Sequence, residues 1–279
     1  MKHAKLVISI QSQVVFGHVG NSAAVFPMQA VGLEVAPVPT VLLSNTPNHP
    51  TIRGRSLPPE LFADLLLGIE ERGLMEAADF IVTGYFGSAE VAGLAADFIA
   101  RAKARNPDLT YLCDPVMGDT GPGLYVPEAI AAIFRDRLMP MADLATPNQF
   151  ELGYLGGTAV TRLADLEGIG ARLGLSPQAQ IICTGCVLEE TPEGQIESLL
   201  VSGGAISRHP CEKLPVAKSG TGDLFAGLVI SGLGRGKSLP EAVDFAQRLT
   251  ARAIGDATRH ETKEVLLSDA DFRRALLLD

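Results

Sequence analysis

Ser219-Gly220-Thr221-Gly222-Asp223 carries more potential chemistry than any other short segment, because it leads straight into an apolar stretch of helical period over 224–230. Small residues at a helix N-terminus let backbone N–H groups approach an anion closely, and the macrodipole adds attraction for negative charge. A carboxylate inside such an anion hole binds phosphate poorly, since like charges repel, but it can accept a proton from an attacking hydroxyl. The plainer reading is a capped turn in which Asp223 only complements the helix dipole. A second set, Ser12, Tyr85, Asp114, Asp119, Thr146, Asn148, Glu151 and Thr184, lies at or near the ends of apolar runs of strand length. In an open parallel sheet, ligands bind outside the carboxyl ends of the strands. Three acids gathered there suit a hard cation held through oxygen, as magnesium is with a nucleotide. Taken singly, each acid reads equally well as a solvated loop residue.

Positioning these groups requires strands that alternate with helices, and the chain has that pattern almost from end to end. Strands are expected over 5–10, 35–43, 80–83, 110–113, 143–146 and 179–183. Helices are expected over 21–31 with Asn21 as N-cap, 59–72, 88–105 with Ser88 as cap, and from Asn148. Residues 44–59 form a polar, proline-rich loop with the composition of a substrate-facing segment. Gly203-Gly204 between two short strand patterns over 196–210 signals a hairpin, placing antiparallel strands at one sheet edge. Helices over 221–233, 240–255 and 268–277 follow. The expected fold class is α/β, with a mostly parallel central sheet flanked by helices on both faces. No linker or fixed-period repeat divides the chain, so 1–279 is read as one domain.

Composition removes whole classes of function. With 279 residues, 47% of them apolar, the chain can bury a large core. Its formal charge of −9 and the lack of Lys/Arg runs leave no footprint for a phosphate backbone, so nucleic acid is not an expected partner. Its apolar stretches fall far short of the ~20 residues a membrane span needs. Four cysteines are too few for a disulfide framework and suit a reducing compartment. Residues 1–10 show no export signal, and a cytoplasmic location is expected.

Gly220-Thr221-Gly222-Asp223 resembles the signature of the ribokinase-like small-molecule kinases. Further segments narrow the resemblance: Gln11-Ser12, Gly17-His18-Val19-Gly20-Asn21-Ser22, Ser44-Asn45, Gly84-Tyr85-Phe86-Gly87-Ser88, Asp114-Pro115-Val116-Met117-Gly118-Asp119 and Thr146-Pro147-Asn148-Gln149-Phe150-Glu151. In this order, over residues 11–223, they look like the pyridoxal kinase family. The resemblance implies a ribokinase-like fold and Asp223 as the base that activates the hydroxymethyl oxygen of a B6 vitamer. The amides of Gly220, Thr221 and Gly222 would stabilise the transferring phosphoryl. Ser12, Val19, Thr46 and Tyr85 would line the ring pocket. Asp114, Thr146, Asn148, Glu151, Thr184, Ser219 and Thr221 would face ATP, with Asp114, Asp119 and Glu151 on its Mg2+. It also implies a monovalent cation, K+ or Na+, near Asp114 and Thr146, a closing loop over 117–127, and a homodimer. One departure stands out. Family members often carry Ser-Asn-His-Thr in the loop after the second strand, whereas this chain has Ser44-Asn45-Thr46-Pro47-Asn48-His49. Proline has no backbone donor and a fixed φ, so the contacts of this loop must differ, with Thr46, Asn48 or His49 as replacements.

Other motifs carry less. Cys183-Thr184-Gly185-Cys186 has CxxC spacing but no second pair for zinc, and Cys183 reads as a buried strand residue. Ser231-Gly232-Leu233-Gly234-Arg235-Gly236-Lys237-Ser238 nearly spells a P-loop, yet it follows a helix, and Ser238 with Glu241 reads as a capping box. Neither a Ser–His elbow nor a dinucleotide fingerprint is present. The expected activity is ATP-dependent phosphorylation of pyridoxal, with pyridoxine and pyridoxamine as further acceptors. The alternatives are a hydroxymethylpyrimidine kinase of the same fold and a non-catalytic vitamer-binding protein.

Overall fold

Residues 4–215 and 218–278 are described by the computed structural model, so the first three residues of the 1–10 run lie outside them. The N-terminal part comprises β1 (Leu6–Val14), α1 (Asn21–Ala30), β2 (Glu34–Leu43), β3 (Gly54–Ser56), α2 (Pro59–Glu71), α3 (Leu74–Ala77), β4 (Phe80–Thr83) and α4 (Ala89–Arg105). The middle holds β5 (Thr110–Cys113), β6 (Gly118–Asp119), β7 (Gly123–Leu124), α5 (Glu128–Ile133), β8 (Leu144–Ala145), α6 (Gln149–Gly156) and α7 (Ile169–Arg172). It closes with β9 (Gln180–Cys186), β10 (Gln195–Ser202), β11 (Ala205–Glu212), α8 (Thr221–Gly234), α9 (Leu239–Arg259) and α10 (Ala270–Leu278).

One sheet runs β11-β10-β9-β8-β5-β4-β1-β2-β3. Its six central strands are parallel, and β10, β11 and β3 are antiparallel to their neighbours. The chain leaves β1 for β2 on one side and later places β4 on the other. The topological switch point therefore falls between β1 and β4, where open α/β sheets offer a crevice at the carboxyl ends of the strands. Strands buried on both faces show why the apolar runs are nearly unbroken. Ile81, Tyr111, Cys113 and Ile181 pack towards Phe62, Phe98, Phe134 and Leu152, while Val82, Leu112 and Ile182 pack towards Met28, Leu224, Phe245 and Leu249.

Several boundaries follow local chemistry. Ser88 Oγ accepts the Val91 N–H at 3.2 Å and starts α4. Asn148 and Glu151 close a reciprocal capping box on α6, and Ser238 with Glu241 does the same on α9, which removes the P-loop reading. Gly203 and Gly204 turn the β10–β11 hairpin as expected. Cys183 and Cys186 are both buried in β9, and no cluster of three metal-ligating side chains occurs among the described residues.

Four expectations are corrected. The 44–59 loop contains β3, which adds a second antiparallel edge to the sheet. Asn21 does not cap α1: Gly20 holds that position, and the Asn21 side chain turns inward to donate to the carbonyls of Gln11 and Val38 and to accept from Ser9. Buried polar groups on β1 and β2 need that partner, and the Asn21 side chain is spent on them. Residues 128–141, not read as helical, form α5 followed by a π turn and a 3-10 turn, too short and too interrupted for a 3.6-residue pattern to register. The 117–127 segment is a small β6–β7 hairpin rather than a plain loop.

Candidate active site

The start of α8 forms the floor of the crevice. Gly220 caps the helix at φ 82°, and a Cβ there would lie 1.9 Å from the His18 carbonyl oxygen, so conformation and space both require glycine. The N–H groups of Thr221 and Gly222 in the first turn of α8 have no intrahelical acceptors and remain available to an anion. Asp223, in that first turn, is half-buried. Burial pushes its carboxyl above the ordinary range, while the N–H groups of Gly20 and of Asp223 itself pull it back. Its carboxylate thus faces the β1–α1 loop, where Gly20 lies directly against Ser12: a Cβ on Gly20 would come within 2.4 Å of Ser12 Oγ.

Asp114, at the end of β5, is only 4% exposed, and its carboxyl is held well above the usual range. Burial is the largest cause, followed by the charges of Glu151 and Asp223, while the nearby Thr146 hydroxyl pulls it down without reaching hydrogen-bond geometry. Its Oδ2 faces Gly222, 3.9 Å from where a Cβ would stand, and neither Asp114 Oδ2 nor Thr146 Oγ1 has a hydrogen-bond partner. Buried oxygens without donors are costly unless something cationic satisfies them, so this pair suits a hard cation bound through oxygen.

Glu151 is committed differently. Its carboxylate accepts the N–H groups of Met117 (2.9 Å), Gly118 (3.4 Å) and Asn148 (2.9 Å). Burial still pushes it up to about 8 against these donors. It therefore ties the start of the β6–β7 hairpin to α6, leaving Asp114 as the acid with a free oxygen. Asn148 Nδ2 donates to the Gly118 carbonyl at 2.8 Å and joins the same tie. Asp119 is exposed on β6, and Thr184 in β9 pairs through its backbone with the Asn148 segment.

The other wall is assembled from distant segments. Ser12 is buried in β1, Val19 and Tyr85 are half-buried, and burial raises the Tyr85 hydroxyl. Thr46 is fully buried with an unpartnered hydroxyl. Asn48 Nδ2 donates to Ser219 Oγ at 2.5 Å, and Lys263 Nζ donates to the Asn48 carbonyl at 2.8 Å. His49 Nε2 lies 3.7 Å from Glu264 Oε2. The proline-altered loop is thus docked onto the anion-hole turn and onto the segment after α9.

Three groups at the crevice were not assigned from sequence. Gln11 Oε1 is buried without a partner and packs 2.7 Å from a Cβ position on Gly84, at the β1/β4 switch point. Its place beside Ser12 was a usable signal. Tyr125 is half exposed, and its hydroxyl is pushed up by burial and by the surrounding charges of Glu151, Asp114, Asp223 and Asp119. As the one aromatic residue in a glycine-rich closing segment, it was also detectable. Glu264 carries no motif and gave no signal.

Comparison with known proteins gives the family. The family model described as Phosphomethylpyrimidine kinase matches residues 74–267. The chain is 38% identical to the Pyridoxine/pyridoxal/pyridoxamine kinase of Bordetella avium, over 96% of this chain and 91% of that one. It is 43% identical to Pyridoxal kinase PdxY of Leifsonia xyli, over 80% of this chain and 78% of that one. Among solved structures, Pyridoxal Kinase from Leishmania donovani in complex with ADP and Pyridoxamine superposes with a TM-score of 0.85 at 28% identity, covering 97% of this chain and 95% of that one. With a mostly parallel ribokinase-like sheet and relatives of this identity over most of its length, the chain belongs to the pyridoxal kinase family.

Proposed function

We propose that this chain transfers the γ-phosphoryl group of ATP to the 5′-hydroxymethyl oxygen of a B6 vitamer, pyridoxal together with pyridoxine and pyridoxamine. The observation that carries the reading is Asp223, turned towards Gly20 and Ser12 from the first turn of α8, beside free helix amides. The acceptor ring lies between Val19 and Tyr85 with Ser12 and Thr46 at its polar edge. The ionised Asp223 carboxylate takes the hydroxyl proton as the oxygen attacks phosphorus. The bond from the γ-phosphorus to the β–γ bridging oxygen breaks, and ADP leaves with that electron pair. The amides of Gly220, Thr221 and Gly222 hold the equatorial oxygens of the phosphoryl in flight.

Thr146, Asn148, Thr184, Ser219 and Thr221 line the nucleotide side. Asp114 would supply the uncommitted oxygen for Mg2+, with Asp119 and Glu151 facing the same ion directly or through water. Bound there, the ion would neutralise phosphate charge during transfer. Asp114 and Thr146 also suit K+ or Na+. The β6–β7 hairpin closes over the phosphates and excludes water. The reading includes one kinase domain over 1–279, a homodimer and a cytoplasmic location.

Because the matching family model is described by a pyrimidine substrate, hydroxymethylpyrimidine is the competing acceptor. Initial rates with Mg-ATP and each of pyridoxal, pyridoxine, pyridoxamine and hydroxymethylpyrimidine decide between them. The vitamers are expected to be phosphorylated faster, and a faster pyrimidine reaction reverses the assignment.

A further inference from the structure

Glu264 lies outside every segment that resembles the family signature, yet three walls of the crevice meet on it. The residue is 5% exposed, and Oε2 has no hydrogen-bond partner. On one side is the β1–α1 loop: a Cβ on Gly17 would stand 2.4 Å from Glu264 Oε1 and 3.1 Å from the Thr46 methyl. The Glu264 charge is also felt by His18 in that loop. On a second side is the β2–β3 loop, whose His49 Nε2 is 3.7 Å from Glu264 Oε2 while its ring meets Phe16 edge-on. On the third is the anion-hole turn. The Ser219 N–H donates to the Lys263 carbonyl, and the Val265 N–H donates to the Ser219 carbonyl, so the residues flanking Glu264 form a short parallel bridge with the start of that turn.

A buried carboxylate is strongly unfavourable without a polar partner, and the imidazole of His49, with Nε2 3.7 Å from Oε2, stands beside it. Thr46, His49 and Glu264 each keep a buried polar atom without a partner, and they adjoin the loop that carries Val19. Polar atoms left this way in a packed interior are found where a ligand or a rearranging partner completes them. We infer that Glu264 is a positioning residue for the phosphate acceptor: through His49 and the Gly17 turn it holds the ring-side wall in register with the anion-hole turn. It touches neither the phosphate nor the proton in transfer. This rests on the vitamer-kinase reading above, with the altered Thr46–His49 loop as the acceptor-side wall.

The test is equilibrium binding of pyridoxine and, separately, of ADP by calorimetry, with steady-state kinetics, on wild type, Glu264→Gln, His49→Gln and the double variant. Either single change is expected to weaken pyridoxine binding and raise its KM roughly tenfold, with ADP binding within about twofold and kcat within about threefold. The double variant should be no worse than the weaker-binding single one, because both remove the same contact. Equal shifts in vitamer and nucleotide binding, no shift in either, or multiplying effects in the double variant would each overturn the inference. Should Glu264→Gln not fold, His49→Gln alone decides by the same split. Wild type that binds ADP but no vitamer would instead remove the functional reading, and the inference with it.

Discussion

The two ends of the crevice are built in different ways. At the phosphate end, one short segment supplies amides, cap and acid together, and neighbouring strand ends bring Asp114, Thr146 and Glu151. At the proposed acceptor end, Gly17, residues 46–49 and residues 263–264 meet from separate parts of the chain. Phosphoryl transfer places the same demand on every substrate, so one local motif can meet it. A ring pocket must match one acceptor, and that match is divided among loops that can vary one at a time.

The largest expected effect belongs to the phosphate end. Replacing Asp223 by Ala should lower kcat by roughly 10²–10⁴-fold, the span of general-base contributions, with ADP binding retained in calorimetry. Gly220→Ala comes next: the Cβ collides with the His18 carbonyl, displaces the amides and should cost about 10²–10³-fold in kcat. An active Gly220→Ala variant would show that the turn is not preformed for phosphate. Asp114→Asn should raise the Mg2+ concentration for half-maximal rate by roughly 10- to 100-fold while leaving vitamer KM nearly unchanged, which separates the two ends in one assay.

A smaller effect is expected in stability. Burial raises Glu151 from 4.5 to about 8, so the ligand-free native state keeps a proton that the unfolded chain has released across that window. Stability should therefore fall as pH rises from 4.5 to about 8, and Asp114, shifted the same way, adds to the slope. Thermal melts with and without Mg-ADP should diverge most at the upper end, and a ligand-free melting temperature that climbs through this window contradicts the buried-acid account. Smallest of all, Tyr125→Phe removes a hydroxyl held near Glu151, Asp114 and Asp223 and should change the ATP KM by no more than about 10-fold, the scale of one hydrogen bond.

Legibility from sequence divides along the same line. The strands at 80–83 and 110–113, the Ser88 cap, the Asn148 capping box and the hairpin at Gly203-Gly204 were readable because apolar runs and turn chemistry are local. Asp223, Asp114 and Glu151 were readable because each sits next to a strand end or helix start. The cap at Gly20 was misread, since Asn21 is drawn inward by buried groups on β1 and β2 that lie far from it in sequence. β3 was hidden in a proline-rich loop because three residues set no period. Glu264 was invisible for the same reason the acceptor wall is variable: its contacts exist only after the chain has folded.

The pH dependence of kcat in wild type and in Asp223→Asn tests the proton acceptor most directly. Because burial lifts Asp223 above the ordinary carboxylate range, wild-type kcat should decline on an acid limb displaced upward from that range, and the residual rate of the variant should lack it. If the variant keeps both the limb and a rate near wild type, the acid at the mouth of α8 does not take the proton.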